Sequence, residues 1–185
     1  MIRNTHTAWG SISRLFHWGL GLVIIGMLAY GWWMNHMAAR PDQFFHRSIH
    51  ADIGYVVLLL MVIRLIWRGL NPVPALAANM PRWRRIAARV SHGALYGVTI
   101  LVAMLGWAHS GAHKPDYAGW FGLFRVPQFT STDKASANTY ENLHIYLAYL
   151  LIAIHVAAAI RHHFVKRDRV TARMTDGAPA EQVSR

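Results

Sequence analysis

The sequence predicts an all-α membrane protein, a bundle of four transmembrane helices. Three observations carry this expectation. Of 185 residues, 54% are hydrophobic and only 15% charged, far from a soluble average. Long apolar runs free of Asp, Glu, Lys and Arg recur along the chain. Lys and Arg gather in alternate connections between those runs.

The first span covers about residues 15–34, since Leu15 to Met34 carries no charge. It is too long for the ~7–15 residue apolar core of a cleavable signal, and no small-x-small cleavage site follows it. The second span, about 50–67, has an uncharged middle from Ile53 to Ile63 closed off by Asp52 and Arg64, and its density of Leu, Val, Ile and Met marks it as a span. The third, about 91–112, is uncharged from Gly93 to Gly111, and the fourth, about 143–164, from Leu143 to Ile160. Each supplies roughly the 20 helical residues needed to cross a ~30 Å hydrocarbon layer. Lipid tolerates no unpaired backbone, and the runs are too long for barrel strands, so helices follow. Trp32, Trp33, Trp107 and Trp120 suit the interfacial belts. Asn71-Pro-Val-Pro74 and Pro81 punctuate the second connection, and Ser131 to Asn138 reads as loop. Residues 1–173 then form the four-helix domain, with 174–185 a disordered, solvated tail.

Fourteen of the Lys and Arg residues lie in the N-terminal segment, the second connection and the C-terminal segment, against five in the first and third connections. The positive-inside bias puts both termini in the cytoplasm. The formal charge of +11 is then a topology signal and an attraction to anionic lipid, not a nucleic-acid footprint.

Histidines carry the chemistry. His17, His50, His144 and His155 lie in or at the edges of the spans, where an ionisable group is costly and marks function. With the termini inside, His17 and His155 fall at the inner level, and His50 and His144 at the outer one. The last two residues of these pairs share a helix. Eleven residues separate His144 from His155, which puts them within ~20° of one face and ~16 Å apart along the axis. The absence of cysteine removes thiolate sites and covalently attached haem. Axial ligation of non-covalent haem iron is the occupation these imidazoles suit best. Gly19, Gly21, Gly26, Gly54 and Ala157 to Ala159 give a porphyrin room, although tight helix packing explains small residues equally well.

Other readings stand beside this one. A histidine in a span is also a hydrogen-bonded structural residue. His46 with His50, and His109 with His113, have the i,i+4 spacing of a zinc or copper chelate, giving a membrane metal-binding or transport protein as an alternative. Arg64 and Arg68, one turn apart, suit either a haem propionate or lipid phosphate. His162 and His163 suit a quinone, a propionate or solvent.

Over about residues 9–168 the chain resembles the bacterial di-haem cytochrome b561 family. The matching runs are Ser13-Arg-Leu-Phe-His17-Trp18, His50 with Ile53-Gly54, Arg64-Leu-Ile-Trp-Arg68 and His92-Gly-Ala-Leu-Tyr96. Trp120-Phe-Gly-Leu-Phe124 with Pro127, His144-Ile-Tyr-Leu-Ala-Tyr149 and His155 through Phe164 complete them. The resemblance implies two haem b groups, one near each face, exchanging electrons with ubiquinone in the bacterial inner membrane. Carried over by position, His17 and His155 are the expected ligands of the inner haem, and His50 and His144 of the outer. The family's last-helix histidines usually stand fourteen apart, which would place Glu141 at the outer position. A three-residue deletion keeps the same face, and a neutral imidazole suits haem iron better than a carboxylate.

Some members of that family oxidise superoxide, and the same is expected here at the outer face, with Arg125 and Lys114 attracting the anion. The outer connections hold five cations against five carboxylates, so only such a local cluster can steer it. Quinone is expected near the inner haem among Arg64, Arg68, His92, Tyr96, His162 and His163. The alternative is an electron-transfer subunit linking the quinone pool to a redox protein partner.

Overall fold

A computed structural model describes residues 1–36, 39–76, 81–113, 120–123, 125–127, 133–166, 171–177 and 179. Those residues are all-helical, without strands. Four helices are long and apolar enough to cross a membrane: α1 (Ser11–His36), α2 (Arg40–Gly69), α3 (Arg82–His113) and α4 (Lys134–Ile160). A π-helical turn, Arg161–Lys166, continues α4, and a short α5 (Ala172–Thr175) follows. The protein is a four-helix membrane bundle. Its large apolar side chains point outward, with Leu22 68% and Ile154 61% exposed. In water that would be ruinous; against lipid it is the expected arrangement.

The helices run past the uncharged stretches at nearly every end. Charge ends the hydrocarbon layer, not the backbone hydrogen bonding, so α2 begins ten residues before His50, at Arg40. Asp133 caps α4, its Oδ1 accepting the Ser136 N–H at 2.7 Å, the usual service of an aspartate to the unpaired amides of a first turn. At the other end of α2, the Asn71 side chain donates to the Trp67 carbonyl at 2.9 Å.

Two compact units form along the helices. The first comprises residues 1–21, 62–96 and 151–185. Asn4, buried there, ties its parts together: Oδ1 accepts from the Gly10 N–H at 3.0 Å and the Ser13 hydroxyl at 2.7 Å, and Nδ2 donates to the Pro72 carbonyl at 3.0 Å. Trp67 donates to the Ser13 hydroxyl at 3.0 Å, joining α2 to α1. The segment after Arg173, expected from composition to be a tail, starts inside this folded unit, since Met174 and Thr175 belong to α5.

The second unit comprises residues 22–61 and 97–150. The connection between α3 and α4 is pinned by Asp52, only 4% exposed. The carboxylate accepts the Trp120 N–H at 2.7 Å and the Phe121 N–H at 2.9 Å. Trp120, Phe121 and Gly122 all have positive φ, at 53°, 56° and 76°. Such a left-handed run turns successive amides toward one point, which suits an anion. The strain of two non-glycine residues there is offset by a buried carboxylate that takes both N–H groups.

Candidate functional site

Each unit brings together one histidine from each of two helices. In the first, His17 of α1 faces His155 of α4, with ring centres 6.0 Å apart at 69°. In the second, His50 of α2 faces His144 of α4, at 6.1 Å and 76°. All four rings are half-buried. With about 2 Å per metal–nitrogen bond and about 1 Å from nitrogen to ring centre, two imidazoles on opposite sides of one metal ion have centres about 6 Å apart. Both pairs meet that requirement.

Surroundings of the His50–His144 pair are built for a large ligand. His144 Nδ1 donates to the Val102 carbonyl at 2.7 Å. That bond fixes the tautomer and leaves Nε2 as a bare donor, as in ligating histidines generally. His50 Nδ1 is buried without a hydrogen-bond partner, and the His50 ring stacks on Tyr30 at 6.2 Å and 19°. Two glycines face the rings. A Cβ on Gly31 would lie 3.3 Å from His50 Cε1, and one on Gly106 3.1 Å from His144 Cε1, so neither position accepts a side chain without moving a ring. A cavity of about 310 Å³ opens here, lined among others by Gly31, His50, Gly54, Tyr55, Gly106 and His144. A Cβ on Gly54 would meet nothing within 4 Å. The orphaned imidazole nitrogen, the glycine cradle and the mainly apolar wall together fit a porphyrin with axial histidines.

Glu141, the position that family spacing singles out, is engaged elsewhere, 3.6 Å from Arg47. Arg47 also donates to Asn35 Oδ1 at 3.0 Å. The i,i+4 histidines part company: His46 pairs with the Tyr30 hydroxyl at 2.8 Å and packs edge-on against Trp33, while His50 turns to His144. His109 donates from Nδ1 to the Ala137 carbonyl at 3.0 Å, and the His113 side chain lies outside the described residues. No three His, Asp or Glu side chains converge among the described residues.

Around the His17–His155 pair, the cations are close. Arg64 donates from Nη2 to His17 Nδ1 at 3.3 Å. Arg64 and Arg68 both lie over the Tyr96 ring, 5.1 and 5.2 Å from its centre, two cation–π contacts on one phenol. His92 lies within electrostatic reach of Arg64, Arg68, Arg173 and His155. Thus Arg64, Arg68, His92 and Tyr96 form one cluster beside the histidines. His163 instead meets the Thr171 hydroxyl at 3.2 Å, and His162 is half-buried in the π-helical turn. Arg173 is 8% exposed, and burial pushes its guanidinium below its ordinary value.

Arg125 is exposed, while Lys114 lies outside the described residues. Gly31, Gly106 and Tyr30 escaped the sequence reading, which took Asp52 only as a charge bounding the second span. A glycine or tyrosine inside an apolar run has no signature until the residue opposite is known.

A family model described as prokaryotic cytochrome b561 matches residues 8–177. The chain is 33% identical over 177 residues to cytochrome b561 homolog 2 of Escherichia coli (strain K12), covering 92% of this chain and 93% of that one. It is 30% identical to cytochrome b561 homolog 1 of the same organism, over 69% of this chain and 73% of the relative. A Yersinia pestis protein named "Probable superoxide oxidase CybB" is 27% identical, over 91% of this chain and 96% of its own length. Four apolar helices and a match along nearly the whole chain lead to one conclusion: this protein belongs to the prokaryotic cytochrome b561 family of membrane electron-transfer cytochromes, whose cofactor is haem b.

Proposed function

We propose that the protein is a di-haem cytochrome of the bacterial inner membrane that takes electrons from superoxide at its outer face and delivers them to ubiquinone near its inner haem. The observation that carries this reading is the presence of two histidine pairs with ring centres 6.0 and 6.1 Å apart. His17 and His155 would hold one haem iron, and His50 and His144 the other. Bound haem supplies one-electron redox chemistry.

The protein's own groups do the rest. Val102 holds the His144 proton on Nδ1. His17 needs the same tautomer, yet a guanidinium has no acceptor for that proton. Arg64, which donates to His17 Nδ1, would instead hold a carboxylate of the bound group and free His17 as a ligand. Arg68, His92 and Tyr96 supply donors for the quinone carbonyls, with His162 and His163 in the π-helical turn that continues α4. At the outer face Arg125 and Lys114 attract the superoxide anion. The balance is two superoxide anions oxidised to two O₂, with two electrons and two protons converting one quinone to quinol. The "superoxide oxidase" name of the Yersinia pestis relative supports this direction.

A second reading is an electron-transfer subunit between the quinone pool and a redox protein. It is favoured by the commitment of Arg47 to Glu141 and by the even balance of charge in the outer connections, which offer a small anion little long-range steering. Stopped-flow mixing of the purified protein with superoxide and a ubiquinone analogue separates the two. Haem reduction by superoxide followed by quinone-dependent reoxidation is expected; haems reduced by quinol but unresponsive to superoxide establish the second. A preparation without b-type haem absorption overturns both.

A further inference from the structure

Trp18 follows His17 directly, and consecutive side chains on an α-helix point about 100° apart and do not face each other. Their rings nonetheless meet edge-on, with centres 5.4 Å apart at 81°. A partner holds the indole in place: Trp18 Nε1 donates to the Met174 carbonyl at 2.9 Å. Four residues earlier, on the same face of α1, Arg14 Nη1 donates to the Thr175 carbonyl at 2.6 Å. Both acceptors are carbonyls at the end of α5, where a helix has no partner of its own to offer.

The turn that presents these carbonyls is itself fastened. Arg173 Nη2 donates to the Ala75 carbonyl at 2.9 Å, and the Ala75 N–H to the His6 carbonyl at 2.8 Å. Thr171 meets His163. Gly177, at φ 72°, passes so close that a Cβ would lie 3.3 Å from the Trp9 carbonyl oxygen. Segments near a chain end are usually loose unless tied down; residues 171–177 are tied at several points within one unit.

We propose that Trp18 is a positioning residue for His17, and that the C-terminal segment Thr171–Gly177 keeps it in that role through the Met174 carbonyl. The proposal rests on His17 being a haem ligand. An indole edge set against the imidazole limits its rotation, and groups around a ligand tune the metal by fixing the ligand's orientation. Because the acceptors are backbone carbonyls, the presence of the segment matters and the side chain at 174 does not.

The test uses the full-length, haem-loaded protein, its Trp18→Phe and Met174→Ala variants, and a chain ended after Val170. Low-spin electron paramagnetic resonance and potentiometric titration resolve the two haems. Trp18→Phe, which keeps the ring and loses the donor, is expected to shift the signal and midpoint of one haem and leave the other unmoved. The shortened chain is expected to shift the same haem, and Met174→Ala neither. Unmoved signals in Trp18→Phe, or an equal shift of both haems in either perturbed chain, overturn the proposal. Should Trp18→Phe fail to assemble, the shortened chain alone decides by the same criterion. Two normal haems in the parent protein with no response in the variants defeats only the positioning role. Loss of neither haem in His17→Ala defeats the ligand assignment beneath it.

Discussion

The two imidazoles of the His50–His144 pair differ in what holds their Nδ1, a carbonyl for His144 and no partner for His50. His144 is fixed by the Val102 carbonyl, whereas Glu141 faces Arg47. His144→Ala is therefore expected to lose one haem of two, read as halved b-type absorption with the remaining signal intact, while Glu141→Ala retains both. The reverse pattern would reassign the ligand. Gly106 tests the cradle independently. An added methyl 3.1 Å from His144 Cε1 must displace the ring, and Gly106→Ala is expected to weaken retention of haem at the His50–His144 pair by about ten-fold or more, the scale of losses when a ligand's support is disturbed. Haem transfer to an apo-acceptor protein measures this. Of these residues, the histidines were legible in the sequence because a costly group in hydrocarbon announces itself. Gly31 and Gly106 were not, since small residues recur throughout packed membrane helices.

Helix ends set the next scale. Asp133 is exposed, and its hydrogen bonds to the Ser136 N–H and side chain hold its carboxyl below the usual carboxylate value. The ionised form is thus favoured by folding. Its stabilisation is present above the ordinary carboxylate range and is lost as pH falls through the lowered value. Thermal melts in detergent are expected to show a small loss of stability for Asp133→Ala at neutral pH, and convergence with the parent at acid pH. A difference independent of pH would show that the cap acts without its charge. Asn4 carries more. Its removal strands the Gly10 N–H, the Ser13 hydroxyl and the Pro72 carbonyl. Asn4→Ala is expected to cost about 1–3 kcal/mol, followed as a lower midpoint of thermal haem release. The four helices themselves were readable from their uncharged runs, but not their true ends. Hydropathy reports where lipid stops, whereas α2 continues to Arg40 because an interfacial helix still satisfies its own backbone.

For the whole molecule, the distribution of Lys and Arg predicts both termini in the cytoplasm. A C-terminal green fluorescent protein fusion is expected to fluoresce, and an alkaline phosphatase fusion at the same point to be inactive; the opposite result would invert the orientation. By itself, the sequence determined the membrane class and the four helices. These follow from one-dimensional quantities, the length of apolar runs and the placement of charge, which a bilayer converts directly into position. Only the tertiary structure decided which groups face one another. It turned His50 toward His144 and His46 away, committed Asp52 to the Trp120 and Phe121 amides, and set the Trp18 indole against His17 by a carbonyl 156 residues away. Facing depends on helix rotation and on loops that return distant chain to the same place, and neither leaves a mark in the local pattern of residues.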